Sequence, residues 1–238
     1  MDRNVASSRD CHINLPLPQR NVFPILTVSE ANQLMRHLRE EPLWFHVATL
    51  MGLLIALRRS EIVGACESEI DWEQNRILID QTITQQTIDG RNTITRKPFT
   101  KNRKAKDLLL VGSLSALIKE LIEEHKTNRT VFGEQYDHTW DGYLIRYPDG
   151  KLVSPNALTN KFKKFLEKHN LKRIRFYDLR HSCASILCAK GVSIRVIQGI
   201  LGHAQLATTQ MYTQIINDQQ DTALIQMSEE IMGESDES

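Results

Sequence analysis

An apolar run, LWFHVATLMGLLIAL at residues 43–57, limits the possible folds more than any other stretch of the chain. A helix that crosses a membrane needs about 20 consecutive apolar residues, whereas this run is shorter and is interrupted by His46 and Thr49. It is therefore predicted to be a helix in the core of a globular domain. The pair Arg58-Arg59 follows it directly, so we expect two cations where this helix leaves the core.

Capping residues predict further helices on both sides of this run. Thr27 and Glu30 have the spacing of a capping box, in which side chains bond the free amides at a helix start, and Pro42 is expected to begin the core helix. Ser113 and the pair Ser154-Pro155 predict the starts of two later helices. The remaining helical patterns lie at about residues 178–190, 193–201, around Tyr212, and at 218–232.

A β region separates the early helices from the late ones. Residues 76–79 and the alternation of Thr and Ile in 82–88 suit strands, and Asp89-Gly90 is a hairpin turn signal before a return strand at 93–97. Residues 108–111 are predicted to form the next strand. The sequence thus predicts an α+β domain, mostly helical, with a small three-stranded antiparallel sheet packed at one edge.

Charge is distributed unevenly, although the formal net charge is only +1. Residues 91–106 contain seven Lys or Arg and no acid, residues 161–175 contain seven and one acid, and residues 217–238 contain seven acids and no base. Two basic segments and an acidic tail fit a protein with one side that faces a polyanion. Ordinary solvated faces are the alternative, since the charged content of 25% is average for a globular protein.

Several function classes lack their usual motifs in this sequence. The cysteines at positions 11, 66, 183 and 188 have no CxxC spacing and are expected to be reduced structural thiols. Neither GxxxxGK[ST] nor GxGxxG occurs, which counts against nucleotide hydrolysis and dinucleotide binding. No metal site and no cofactor are predicted.

Four short segments carry groups suited to a phosphodiester. Arg58 has Glu61 three residues on to hold it, although surface arginines at a helix end are the plainer interpretation. The basic stretch 100–106 offers lysines to a phosphate or a leaving oxygen, although alone it is more often a solvated hairpin. YDLRHS, at residues 177–182, contains Arg180, and LGHAQLATTQMY ends with a tyrosine nine residues after its histidine. The guanidinium groups can donate two hydrogen bonds to a phosphate, and a tyrosine can act as a nucleophile without a metal. Together these groups indicate phosphoryl transfer on a nucleic-acid backbone.

Taken in this order, ALRRSEI, a lysine at a strand tip, YDLRHS and LGHAQLATTQMY resemble the catalytic boxes of the tyrosine recombinases, the phage-type integrases. The boxes of that family have the forms GLRxxE, a β-hairpin lysine, HxLRH and LGHxxxxxTxxY. The resemblance extends over roughly residues 23–217. It implies the catalytic-domain fold of that family and a site-specific recombinase that cleaves and rejoins DNA without metal or ATP, to integrate or excise a mobile element.

By this resemblance Arg58 and Arg180 are the two catalytic arginines, which stabilise the negative charge of the transition state. His203 is a further hydrogen-bond donor to the phosphate. Tyr212 is the nucleophile, and its attack gives a 3′-phosphotyrosine and a free 5′-hydroxyl.

The resemblance assigns supporting roles as well. Lys101 is the hairpin lysine that protonates the departing 5′-oxygen, with Lys104 as the alternative, and Glu61 supports Arg58. Tyr177 stands where the family usually has histidine; it can donate a hydrogen bond, but a phenol with a pKa of about 10 is a poor proton shuttle near neutral pH. His181 is a supporting residue, and its helix offset is expected to point it away from the position of Tyr177.

The expected partner is double-stranded DNA at an attachment or core site, bound by a homotetramer that is a monomer when free, with a directionality factor. No membrane association is expected, and the predicted location is the cytoplasm of a bacterial host, at the nucleoid. The residues expected to contact DNA are Arg59, Arg103, Lys104, Lys161, Lys163, Lys164, Arg173 and Arg175.

Three regions are predicted along the chain. Residues 1–24 form a linker or tail at the end of a missing core-binding domain, residues 25–217 the catalytic domain, and residues 218–238 a C-terminal helix with an acidic tail. That helix is expected to dock either on its own core or on a neighbouring protomer.

Two other functions remain open at this point. A type IB topoisomerase would use the same residues to relax supercoils without exchanging strands. A non-catalytic DNA-binding regulator would use residues 191–202, which resemble a helix-turn-helix, and would need neither Arg58 nor Tyr212.

Overall fold

The computed structural model describes residues 24–88, 91–98, 105–202 and 227–228. Its main helices are α1 Val28–Leu38, α2 Leu43–Leu54, α3 Arg59–Val63, α4 Gly112–Phe132, α5 Pro155–Lys168, α6 Asp178–Ala189 and α7 Ile194–Leu201. Its strands are β1 Ile70–Asp71, β2 Arg76–Ile79, β3 Gln81–Ile88, β4 Arg91–Pro98 and β5 Lys106–Leu109. Helices dominate and the sheets are small and antiparallel, so the predicted fold class is confirmed.

Helices α1 and α2 begin where the capping signals place them. The Glu30 amide donates to Thr27 Oγ1 and the Thr27 amide donates to Glu30 Oε2, which completes the predicted capping box. Helix α2 follows Pro42, and its residues 44–53 are all buried. The apolar run is therefore the core helix that the sequence predicts, and it packs against α4 and α6.

The core helix ends earlier than expected. Residue Ala56 has a φ of 54°, a left-handed conformation that no helix continues through. Helix α2 therefore stops at Leu54, and Arg58 caps the start of the separate short helix α3. The prediction that Arg58 stands at the end of the core helix is wrong, because a turn of the backbone intervenes.

The three-stranded antiparallel sheet exists, but its strands are not all those expected. Strands β1, β2 and β5 form it in the order β1-β2-β5, whereas β3 and β4 pair only with each other. Ile88 pairs with Arg91, which leaves a two-residue connection at the Asp-Gly pair. The hairpin β3–β4 stands apart because β3 packs against α3 and α5.

The later helices follow their capping signals with one exception. Ser154 Oγ accepts from the Ala157 amide at the start of α5, and Ser193 precedes α7. Ser113 does not cap α4, because the chain passes from β5 into this helix with Val111 at the N-cap. Within the described ranges no helix is long and apolar enough to span a membrane.

Some predictions fall elsewhere in the chain. Residues 1–23, the helix expected around Tyr212 and most of the helix expected at 218–232 lie outside the described residues. The three predicted regions therefore remain predictions.

Candidate active site

The first predicted arginine reaches the site through an unusual turn after the core helix. Ala56 adopts a positive φ, and the Leu57 amide donates to the Met51 carbonyl at 3.1 Å. A non-glycine residue in this region is strained by roughly 1–2 kcal/mol, and such strain persists where surrounding contacts fix the backbone. The turn brings Arg58 out of the core, with 22% of its side chain exposed.

Glu61 is the anchor of this arginine. Its carboxylate accepts from the Arg58 amide at 2.9 Å and from Arg58 Nη1 at 2.8 Å, and its side chain is completely buried. Burial alone would raise the pKa of Glu61, but the Lys106 ammonium and the bonds from Arg58 outweigh it and hold the pKa below its usual value. The carboxylate is thus ionised and fixes both the backbone and the guanidinium of Arg58.

Lys106 is a member of the cluster that sequence reasoning missed. Its Nζ lies 2.7 Å from Glu61 Oε2 with only 8% of the side chain exposed. Burial lowers the pKa of Lys106 to about 8, against the opposing effect of Glu61. The alternation of β5 was the available signal: Lys106 shares the inward face with Leu108, whereas Asp107 and Leu109 point outward.

The second predicted arginine enters from α6 and joins two backbone turns. Arg180 Nη1 donates to the Ala56 carbonyl at 2.6 Å, and Nη2 donates to the Leu201 carbonyl. Arg180 is only 1% exposed. Its guanidinium therefore ties the strained turn before Arg58 to the last residue of α7.

The end of α7 also meets Lys106. Gly202 has a φ of 62°, and a Cβ built on it would lie 2.8 Å from Lys106 Cε. This position suits glycine for both its backbone and its lack of a side chain. His203 follows immediately in the sequence, but His203 and Tyr212 lie outside the described residues, as do Lys101, Arg103 and Lys104.

Tyr177 and His181 are in contact with each other. Their ring centroids are 4.9 Å apart in an edge-to-face arrangement, since residues four apart share one helix face. The expectation that His181 points away from the position of Tyr177 is therefore wrong. Tyr177 is 42% exposed, whereas His181 is buried, and this burial lowers the pKa of its imidazole.

The residues predicted to contact DNA have different surroundings. Arg59 Nη1 donates to Thr159 Oγ1 of α5 at 3.1 Å. Lys161 pairs with Glu41 and Arg175 with the buried Asp178, so both also hold the fold together. Lys163, Lys164 and Arg173 are exposed, as are Arg59 and Arg175. Their DNA contacts remain a prediction.

In the part of the chain that the structure describes, the box of Arg58 and Glu61, the box of Arg180, and Leu201 at the start of the last box thus lie together. The carboxylate of Glu61 and the ammonium of Lys106 join α3 to β5, and Arg180 joins α6 to the turn before α3 and to the end of α7. In the described ranges no group of three or more His, Cys, Asp and Glu side chains could hold a metal ion. The cluster contains two guanidinium groups and one ammonium but one carboxylate, and this excess of positive charge suits an anionic substrate.

Comparison with known proteins identifies the family. The phage integrase family model matches residues 24–219, most of the chain, and the chain therefore belongs to the phage integrase family.

Individual relatives agree with this assignment. A XerC-like tyrosine recombinase of Caldanaerobacter subterraneus subsp. tengcongensis is 26% identical over 183 residues, 74% of this chain and 46% of that protein. The tyrosine recombinase XerD of Rickettsia conorii is 28% identical over 229 residues, 90% of this chain and 67% of that protein. The chain spans about half the length of the first curated relatives that it matches.

A solved structure shares the fold. The Tn1549 transposon integrase (residues 82–397) in complex with circular intermediate DNA gives a TM-score of 0.66 at 15% identity, covering 79% of this chain and 62% of that chain.

Proposed function

We propose that this chain is the catalytic part of a site-specific DNA recombinase that cleaves and rejoins strands through a 3′-phosphotyrosine intermediate. The observation that carries the proposal is the junction at Arg180: one guanidinium holds the turn that presents Arg58 and the helix end that leads directly to His203. Two arginines from distant segments thereby belong to one cluster in a chain of the phage integrase family.

In the proposed reaction the Tyr212 oxygen attacks the scissile phosphorus. The new bond joins the Tyr212 oxygen to the phosphorus, which stays on the 3′ end of the cleaved strand, while the bond from phosphorus to the 5′-oxygen breaks. The Tyr212 hydroxyl gives up its proton to water, and Lys101 supplies a proton to the departing 5′-oxygen. Attack by a 5′-hydroxyl then reverses the step on a second strand. Each step exchanges one phosphodiester bond for another of similar energy. The covalent intermediate therefore conserves the energy of the broken bond for the rejoining step.

The arginines act on the charge of the transition state. Arg58 and Arg180 donate to the non-bridging phosphate oxygens, with His203 and Tyr177 as further donors. Loss of one such preorganised donor lowers the rate roughly 10²–10³-fold. Glu61 keeps Arg58 in place.

The proposed partner is double-stranded DNA, in keeping with the DNA bound in the Tn1549 integrase structure. We further propose that residues 25–217 form the catalytic domain and that the active assembly on DNA is a homotetramer. The open basic residues Lys163, Lys164 and Arg173 would contact the backbone of the duplex.

The proposal is tested with a library of nicked suicide duplexes of random sequence, because the target site is unknown. Loss of the short fragment beyond the nick traps the covalent intermediate. The expected result is a protein–DNA species that survives SDS with the intact chain and is absent with Tyr212→Phe. A DNA-binding regulator would retain duplexes without any covalent product, and that result would contradict the proposal. The recovered sequences then allow a two-site strand-exchange assay, which separates a recombinase from a topoisomerase.

A further inference from the structure

Lys106 occupies the centre of the described cluster, although the resemblance to the recombinases assigns it no role. It contacts Glu61 through its ammonium and lies beneath Gly202 through its stem. The positive charges of Arg58 and Arg180 both lower the pKa of Lys106. One side chain therefore contacts the box of Arg58 directly, lies near Arg180 of the YDLRHS box, and supports the turn that leads to His203.

Three charged side chains on two elements act on Lys106. Glu61 and Arg58 face it from the start of α3, and Arg180 faces it from α6. Its cross-strand neighbour on β2 is the apolar Ile79, and at the end of α7 Gly202 lies against its stem. Among the described residues, two guanidinium groups repel the ammonium and the Glu61 carboxylate attracts it.

Stability alone does not explain this ion pair. Replacing a buried ion pair by apolar residues is often neutral or stabilising, because both charges lose their hydration. The pair fixes the orientation of the Glu61 carboxylate. Oε2 accepts hydrogen bonds from Lys106 Nζ and from the Arg58 amide, and Oε1 accepts one from Arg58 Nη1. Without the lysine the carboxylate would be held by Arg58 alone, so its position, and that of the guanidinium bonded to it, would be less well fixed.

We propose that Lys106 is a positioning residue for strand cleavage, which orients Arg58 through Glu61 and supports the Gly202 turn that leads to His203. The inference rests on the proposed function for its catalytic consequence, although the geometry can be tested without it. It is separate from the general acid, which the resemblance places at Lys101.

The first test compares three variants in single-turnover formation of the covalent adduct. Lys106→Met keeps most of the stem but removes the ammonium, and Glu61→Gln combined with Lys106→Met removes both charges. Asp107→Asn is the matched control, because it breaks an exposed pair with Arg76 on the outer face of the same strand. We expect Lys106→Met to slow adduct formation at least 10-fold and up to the roughly 10³-fold loss of a missing donor, and Asp107→Asn to leave the rate unchanged.

The double variant separates positioning from stability. We expect it to regain part of the melting temperature lost in Lys106→Met, because a fully buried carboxylate that has lost one of its two cations is no longer present, but not the rate of adduct formation, because Arg58 then lacks its anchor. Recovery of both together would overturn the proposal, since the lysine would then act only through stability. A wild-type rate in Lys106→Met would overturn it as well.

Lys106→Arg tests the role of the ammonium charge through the pH dependence of the rate, which a purely structural role of Lys106 would leave unchanged. An arginine stays protonated at every accessible pH, whereas the lysine is expected to lose its proton as the pH rises past about 8. The ratio of the Lys106→Arg rate to the wild-type rate should therefore increase above this pH. A ratio that is constant with pH would contradict the proposal.

The second test does not depend on DNA cleavage. Inorganic phosphate is titrated against the Arg58 side-chain resonances in nuclear magnetic resonance spectra of the full chain. We expect the affinity at Arg58 to fall at least 5-fold, as an order-of-magnitude estimate for a misplaced charged hydrogen bond, in Lys106→Met but not in Asp107→Asn. Equal affinities would overturn the positioning role. Weaker binding in a chain whose wild type forms no adduct would support that role and reject the proposed function instead.

Discussion

Gly202 follows α7 and Gly191 follows α6. Both glycines adopt a left-handed backbone conformation, with φ of 62° and 78° respectively, but their surroundings differ. A Cβ on Gly202 would lie 2.8 Å from Lys106 Cε, whereas a Cβ on Gly191 would meet nothing within 4 Å. The two positions therefore separate the cost of the backbone conformation from the cost of the contact with Lys106.

We predict that Gly202→Ala and Gly191→Ala each lower the free energy of unfolding by about 1–2 kcal/mol, because an L-residue is strained in this region. Only Gly202→Ala should also slow adduct formation, since it displaces Lys106. Denaturant unfolding and single-turnover cleavage measure the two effects. Equal cleavage rates in both variants would show that the contact with Lys106 is unimportant.

His125 gives the fold a defined sensitivity to acid. Its Nε2 lies 2.9 Å from the Leu144 carbonyl in a buried position, and burial lowers the pKa of the imidazole to about 4, from 6.5. Because the folded pKa lies below the unfolded value, the unfolded chain binds the proton more readily. Stability is complete above about pH 6.5 and is lost as the pH falls towards 4.

This histidine should account for roughly 3 kcal/mol of the acid sensitivity, since each pKa unit corresponds to about 1.4 kcal/mol. We predict that His125→Asn, which keeps an N–H donor but cannot titrate, flattens the dependence of the unfolding free energy on pH between 6.5 and 4. His138→Asn, at an exposed histidine, should keep the wild-type slope. Parallel curves for His125→Asn and the wild type would refute the assignment.

At the scale of elements, Arg180 fastens α7 to the rest of the cluster. Two of its donors bond backbone carbonyls, one in the turn before α3 and one at the end of α7, and lysine cannot span both because it lacks the fork. Arg146 is a matched buried arginine elsewhere, where it donates to the Tyr143 carbonyl, the Tyr136 hydroxyl and Asp141.

We predict that Arg180→Lys and Arg146→Lys each cost about 2–3 kcal/mol of stability, the range for hydrogen bonds to charged groups. Hydrogen exchange should become faster in α7 for Arg180→Lys only, and only that variant should lose adduct formation. If the amides of α7 stay equally protected in both variants, Arg180 does not hold this helix.

The elements that the sequence predicts well are those with local signals. The capping box at Thr27 and Glu30, the Ser154 cap and the apolar run of α2 depend on neighbouring residues only, and the structure contains all three. The partners of the strands were harder to predict, because β2 pairs with β5 across the intervening hairpin. Alternation within a strand does not specify which strand lies beside it.

The candidate site shows the same division. The motifs identify Arg58 and Arg180 as candidate catalytic arginines. They do not predict that a positive φ at Ala56 turns Arg58 out of the core. Lys106 was hidden among seven basic residues of one segment. Its inward position in β5 and its pairing with Glu61, 45 residues away in sequence, distinguish it from the lysines expected to meet DNA.

At the scale of the whole molecule, the basic residues predict how binding depends on salt. Each phosphate contact lowers the logarithm of the binding constant by about 0.9 per decade of salt. We predict weak, steeply salt-dependent binding of duplex DNA by this chain, with a slope reduced by about 1 in Lys164→Ala. Fluorescence anisotropy at several salt concentrations measures the slope, and nanomolar affinity at physiological salt would contradict this prediction.

The central claim is that the described cluster directs one tyrosine at one phosphodiester. Its most direct test is the mass of the peptide that carries DNA after reaction with the suicide-duplex library and digestion. We predict a nucleotide attached to Tyr212 through a 3′-phosphate, with a free 5′-hydroxyl on the released fragment and no such peptide in Arg58→Ala. Attachment at another residue, or an equal yield from Arg58→Ala, would contradict the account.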